Sequence, residues 1–76
     1  MVFKTAKVIR VVEEAHERNG VIVQLVSDKH EGNTMYEVNV YVGGVSQLEL
    51  FKDYDCMWMA AVYADEVFED LTREFA

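Results

Sequence analysis

Glycines punctuate the chain at Gly20, Gly32 and the pair Gly43-Gly44, and cut it into four patterned segments. In the first, strict alternation of apolar and polar residues fails across KVIRVVEE. At about 100° per residue, Val8, Ile9, Val11, Val12 and Ala15 share one arc. Lys7, Arg10, Glu13, Glu14, Glu17 and Arg18 fill the other. The spacing predicts an amphipathic helix from about Thr5 to Arg18, stopped by Asn19-Gly20 in the left-handed region. Asn-Gly is also a strong hairpin signal, so a strand turning there is the rival. The EEAHER stretch favours the helix.

The second segment, VIVQLVSD, reads as a strand with Val21, Val23 and Leu25 on one face and Ile22, Gln24 and Val26 on the other. KHEGNT reads as a polar loop. In MYEVNVYV, Tyr36, Val38, Val40 and Val42 point inward, while Glu37, Asn39 and Tyr41 point outward. A two-residue turn at Gly43-Gly44 would set Gln47 and Glu49 opposite Val40 and Val38 on the core face. A three-residue loop, Gly43-Gly44-Val45, instead pairs Val40 with Leu48 and Val38 with Leu50, and is the register expected. Asp53 or Asp55 can cap a final helix. Its buried stripe would be Met57, Ala60, Ala61, Ala64, Val67, Phe68, Leu71 and Phe75. The expected fold is α+β, α-β-β-β-α, a three-stranded antiparallel sheet with two helices on one face, in a single domain over residues 1–76.

Composition narrows the function classes. Hydrophobic residues make up 51% of the 76 and charged residues 28%, which is globular rather than disordered. No apolar run reaches the roughly 20 residues of a membrane span, and MVFKTAKVIR lacks the apolar core of a secretory signal. Cys56 has no second cysteine to pair with. An intracellular location, cytoplasmic or nuclear, is therefore expected. The net charge is −7, and residues 49–76 carry eight acids against two bases. Phosphate backbones are held by clustered Lys and Arg. Only the loose trio Lys4, Lys7 and Arg10 offers such a group.

The last helix carries a surplus of apolar surface. Trp58 and Val62, like Met59 and Tyr63, are four residues apart and off the buried stripe. This patch either packs against the first helix or meets a protein partner. The same faces lower down carry Asp65, Glu66, Glu69 and Asp70. A second contact surface is expected on the third strand of the sheet, at Gln47, Leu48, Glu49, Leu50 and Phe51, because an edge strand can pair with another chain.

The expected element order, with the stretches VVEEAHERNG, LVSDKHEGNTMYEVNVYVGG and MAAVYADEVFEDL, resembles the double-stranded-RNA-binding domain over about residues 8–71. The resemblance would place Glu13 where that family reads the minor groove and a run of lysines at the start of its last helix. Here that start reads KDYDCMWMAA, and Lys52 alone matches. The Gly-Pro-x-His signal is missing, with His30 as its echo. The chain therefore resembles the degenerate members that keep the fold, lose RNA and bind proteins, either themselves or an RNA-processing enzyme of a silencing complex.

Enzyme chemistry finds no foothold. No nucleophile elbow, phosphate-binding loop, dinucleotide fingerprint or His-Glu-x-x-His is present. His16 and His30 lie fourteen residues apart, whereas zinc needs three or four convergent ligands, so neither is read as a ligand and no cofactor is expected. Asp53 and Asp55 read as caps. Cys56 reads as unreactive beside its acidic neighbours. The expected function is a protein–protein interaction module, homo- or heterodimeric, without direct binding of double-stranded RNA or membrane. The alternative is a small acidic inhibitor, of phage or mobile-element type, that mimics nucleic-acid charge against a basic target.

Overall fold

The computed structural model describes residues 9–74, so Lys4, Thr5, Lys7, Val8 and Phe75 lie outside the described residues. Its order is β1 (Ile9–Arg18), β2 (Val21–His30), β3 (Asn33–Val42), β4 (Val45–Ser46), a 3-10 turn (Leu48–Leu50), β5 (Lys52–Tyr54) and α1 (Met57–Glu74). This corrects the α-β-β-β-α expectation. The described part of the first segment is a strand, and among the described residues one helix, not two, covers the sheet.

The reason lies at two places in the first segment. Asn19 (φ 52°) and Gly20 (φ 80°) both adopt the left-handed region and join Arg18 directly to its partner Val21. Two consecutive positive φ values make the two-residue turn whose twist suits a hairpin. Further back, β1 carries a one-residue bulge between Val12 and Glu14. A bulge inserts a residue and swaps the face that each later side chain occupies. The alternation therefore breaks mid-strand, and apolar residues from both faces fall at helix-like spacing.

The sheet is an antiparallel meander, β1-β2-β3, whose fourth position is shared by β4 and β5. Glu31 (φ 51°) and Gly32 (φ 81°) form a second two-residue turn, so KHEGNT is mostly strand rather than loop. Gly43 (φ 59°) and Gly44 (φ 83°) form a third, pairing Val42 with Val45. This corrects the expected three-residue loop and its Val40–Leu48 and Val38–Leu50 pairs. The polar conflict is resolved by interrupting the strand. Gln47 still donates its backbone N–H to Val40 at 2.8 Å, then the chain leaves the sheet as the 3-10 turn. It returns at Lys52, which takes the place opposite Val38.

Helix α1 lies over β2 and β3. Val21, Val23 and Leu25 face Val42, Val40 and Val38 across the ladder, and Ala60, Ala64 and Val67 close over them. Alanines on the helix let it sit close to the sheet. Tyr36, Leu50, Tyr54, Tyr63, Phe68 and Leu71 seal the margins. Asp53 is in β5, not at a cap. The first helical hydrogen bond runs from Ala60 N–H to the Cys56 carbonyl at 3.2 Å, so Cys56 takes the capping position expected of Asp53 or Asp55. Met57, expected in the stripe, is exposed.

Leu25 is completely buried at the centre of this contact. Leu25→Ala should cost about 2–5 kcal/mol by urea unfolding, the range for a cavity beneath a rigid helix. Glu31 holds a conformation that costs a side-chain-bearing residue roughly 1–2 kcal/mol. Glu31→Asn should raise stability by about 0.5–1 kcal/mol, since Asn-Gly suits this turn better. An unchanged urea midpoint would refute that reading of the turn.

Candidate protein-contact surface

The two expected contact surfaces fare differently. Gln47, Leu48, Glu49, Leu50 and Phe51 do not form an edge strand that could recruit another chain. They form the 3-10 turn and its flanks. Leu50 turns inward against the core, while Leu48 projects at 80% exposure and Phe51 is also exposed. The turn is tied to α1 by the Tyr63 hydroxyl, which donates to the Leu50 carbonyl at 2.7 Å.

The Trp58 patch is open. One of its two expected destinations, a first helix packed against it, is absent from the described fold. Trp58 is 73% exposed, and Met59 and Val62 are exposed beside it. Tyr63 is half-buried. Its ring lies 6.0 Å from that of Tyr54, and the Lys52 ammonium sits 4.7 Å above it. Such a cation is attracted by the electron-rich ring face. Together Lys52, Tyr54, Trp58, Met59, Val62, Tyr63 and Glu66 line a shallow groove of about 310 Å³. Burial pushes the Tyr63 phenol's pKa up, with the Tyr54 charge adding to it.

The acidic residues follow directly along the same helix. Asp65, Glu66, Glu69 and Asp70 are all exposed. Only Arg73, 3.9 Å from Asp70, answers them from within α1. The described cations are dispersed. Arg10 donates to Asp28 at 2.6 Å and Glu37 at 3.0 Å on the uncovered face of the sheet. The hydrogen bond to Glu37, then the charges of Glu37 and Asp28, push its pKa up. Arg18 leans over Phe68. Among the described residues no basic patch gathers that could hold a phosphate backbone.

The sequence reading missed one long edge of the sheet. It is β1, which among the described residues pairs with β2 alone and exposes Ile9, Val11 and Val12. The Asn-Gly turn was the signal for it. The bulge then delivers Glu14, His16 and Arg18, rather than Ala15 and Glu17, to the helix side, opposite Leu25, Val23 and Val21. Glu13, left unpaired by the bulge, accepts from the hydroxyl of buried Ser27 at 2.8 Å. Among the described residues, Glu14, His16 and Asp65 are the group that could hold a metal, with donor atoms within 4.8 Å of one another. No helix of the described residues is long and apolar enough to cross a membrane. Comparison with protein-family models, curated proteins and solved structures finds no match to this chain.

The raised Tyr63 pKa has a definite sign. The folded chain keeps its proton where the unfolded chain has begun to lose it, so this stabilisation is full below the ordinary tyrosine value of about 10 and fades above it. In an ultraviolet titration, Tyr63→Phe should delete a late alkaline transition. Its urea midpoint should also fall less steeply than that of the parent as the pH rises beyond that value. Loss of an early transition instead would show that the phenol is freely solvated.

Proposed function

We propose that this chain is a protein–protein interaction module whose contact surface is the outer face of the first turns of α1. The observation that carries this reading is Trp58, 73% exposed beside exposed Met59 and Val62. A tryptophan buries more apolar area on binding than most side chains, and Trp and Tyr anchor interfaces. The inner side of the same turns is already filled by Ala60 and Ala64 against the sheet. The exposed residues are therefore surplus to the monomer's core. The element order α-β-β-β-α that underlay the resemblance to double-stranded-RNA-binding domains is not the order observed, so the exposed surface alone supports this reading.

The acidic residues Asp65, Glu66, Glu69 and Asp70 flank this anchor and favour a partner that brings basic groups around an apolar centre. Charge of this kind steers encounter and selects partners more than it holds them. The inhibitor reading reverses the weights. There the acids would supply the recognition, and Trp58 would be incidental.

Sedimentation equilibrium across the micromolar range tests self-pairing first. A mass twice that of the chain, abolished by Trp58→Ala, establishes the patch as a self-contact. If the chain stays monomeric, affinity capture is compared for the parent, Trp58→Ala and the charge-reversed Glu66→Lys/Glu69→Lys/Asp70→Lys chain. Loss of a captured protein with Trp58→Ala supports the proposal. A complex that survives Trp58→Ala but fails on charge reversal and at high salt establishes the inhibitor reading instead.

A further inference from the structure

A second constellation lies on the other flank of α1, and it stands independently of the Trp58 surface. We propose that Glu14, His16 and Asp65 form a binding site for a divalent transition-metal ion such as zinc, joining strand β1 to the helix. The His16 Nε2 lies 3.7 Å from Glu14 Oε2 and 3.7 Å from Asp65 Oδ1. Both separations are too long for an N–H···O hydrogen bond, which needs about 2.7–3.2 Å. They approach the spacing of two ligands on one ion. Donors bound at about 2.0–2.2 Å around a tetrahedral zinc stand about 3.3–3.6 Å apart.

A second observation points the same way. The Nε2 atom itself is buried, on an imidazole that is otherwise 40% exposed, and has no hydrogen-bond partner. A buried polar atom is ordinarily paired, and each exception calls for a reason. Here the unpaired atom is flanked by two carboxylate oxygens, and all three donors fall within 4.8 Å. Arg18, the next helix-facing residue of β1, sits over the Phe68 ring at 6.0 Å. Carboxylates brought together around an imidazole nitrogen offer the donor types that a cation requires.

The scaffold supports the arrangement. The His16 ring packs against Phe68 with centroids 5.4 Å apart, which restricts its rotation. Glu14 and His16, two residues apart, share a face of β1 that the bulge turns to the helix side, and α1 brings Asp65 across to meet them. One nitrogen and two oxygens suit zinc, nickel or copper better than magnesium or calcium, which prefer oxygen alone. Three protein ligands leave a fourth position for water or an incoming side chain.

Titration calorimetry of the tag-free chain with zinc chloride tests this, with cobalt(II) absorption reporting the coordination geometry. One ion per chain is expected, with His16→Ala weakening binding at least about tenfold and Asp65→Asn weakening it several-fold. His30→Ala should leave it unchanged. Zinc should also raise the melting temperature of the parent but not that of His16→Ala. Asp65 is exposed on the helix, so Asp65→Asn retains the fold even if the strand substitution does not. Absence of binding at millimolar zinc, or equal binding by the parent and Asp65→Asn, would overturn the proposal.

Discussion

The structure depends on one contact, the seating of α1 on β2 and β3. Every completely buried large side chain, Val21, Val23, Leu25, Val38 and Val40, lies on the sheet side of that contact. Its helix side is made mainly of Ala60, Ala64 and Val67. A chain this short has room for one such layer, so little apolar area remains in reserve. The opposite sheet face is held by lateral pairing, Arg10 bridging Asp28 and Glu37 across three strands. Val26, buried on that face between its cross-strand partners Val12 and Glu37, is a small apolar spot rather than a second core.

That economy determines what the helix can present. A helix with one face on a sheet leaves its other faces to water, and α1 divides them along its length. The first turns expose Trp58, Met59 and Val62, and the later turns expose acids. Toward β1, the helix meets Glu14, His16 and Arg18 instead of valines. The sheet under α1 is thus apolar in its centre and polar on the β1 side. That division follows from one inserted residue in the strand.

The sequence was legible where patterns were unbroken. The alternation in β3 put Val38 and Val40 on the inward face, that in β2 separated Val21, Val23 and Leu25 from Ile22, Gln24 and Val26, and the spacing of Ala60, Ala64 and Val67 located the helix and the residues it buries. It misled where two local irregularities stood in for a different periodicity. The bulge at Glu13 made a strand look like a helix. At the other end, the conflict between Gln47, Glu49 and the core was real. The chain resolves it by leaving the sheet, not by lengthening the turn, a choice no pairing rule dictates. Trp58 stood out in sequence because it lay off the stripe. The meeting of His16 with Asp65 did not, since residues forty-nine apart in the chain share no local pattern.

The three two-residue turns carry a consequence for how the chain acquires its form. Strands β1 to β4 each pair with the next in sequence, so closing each hairpin confines only a short loop, and β5 returns over a few residues to β3. The longest reach belongs to the helix, which must find β2 after the meander has set the valines in line. Mean sequence separation between touching residues governs the speed of small domains, and hairpins close within about 1–10 microseconds. The topology therefore concentrates the slow, entropically demanding step in the docking of α1. The groups that give the molecule its surface character are assembled in that same event.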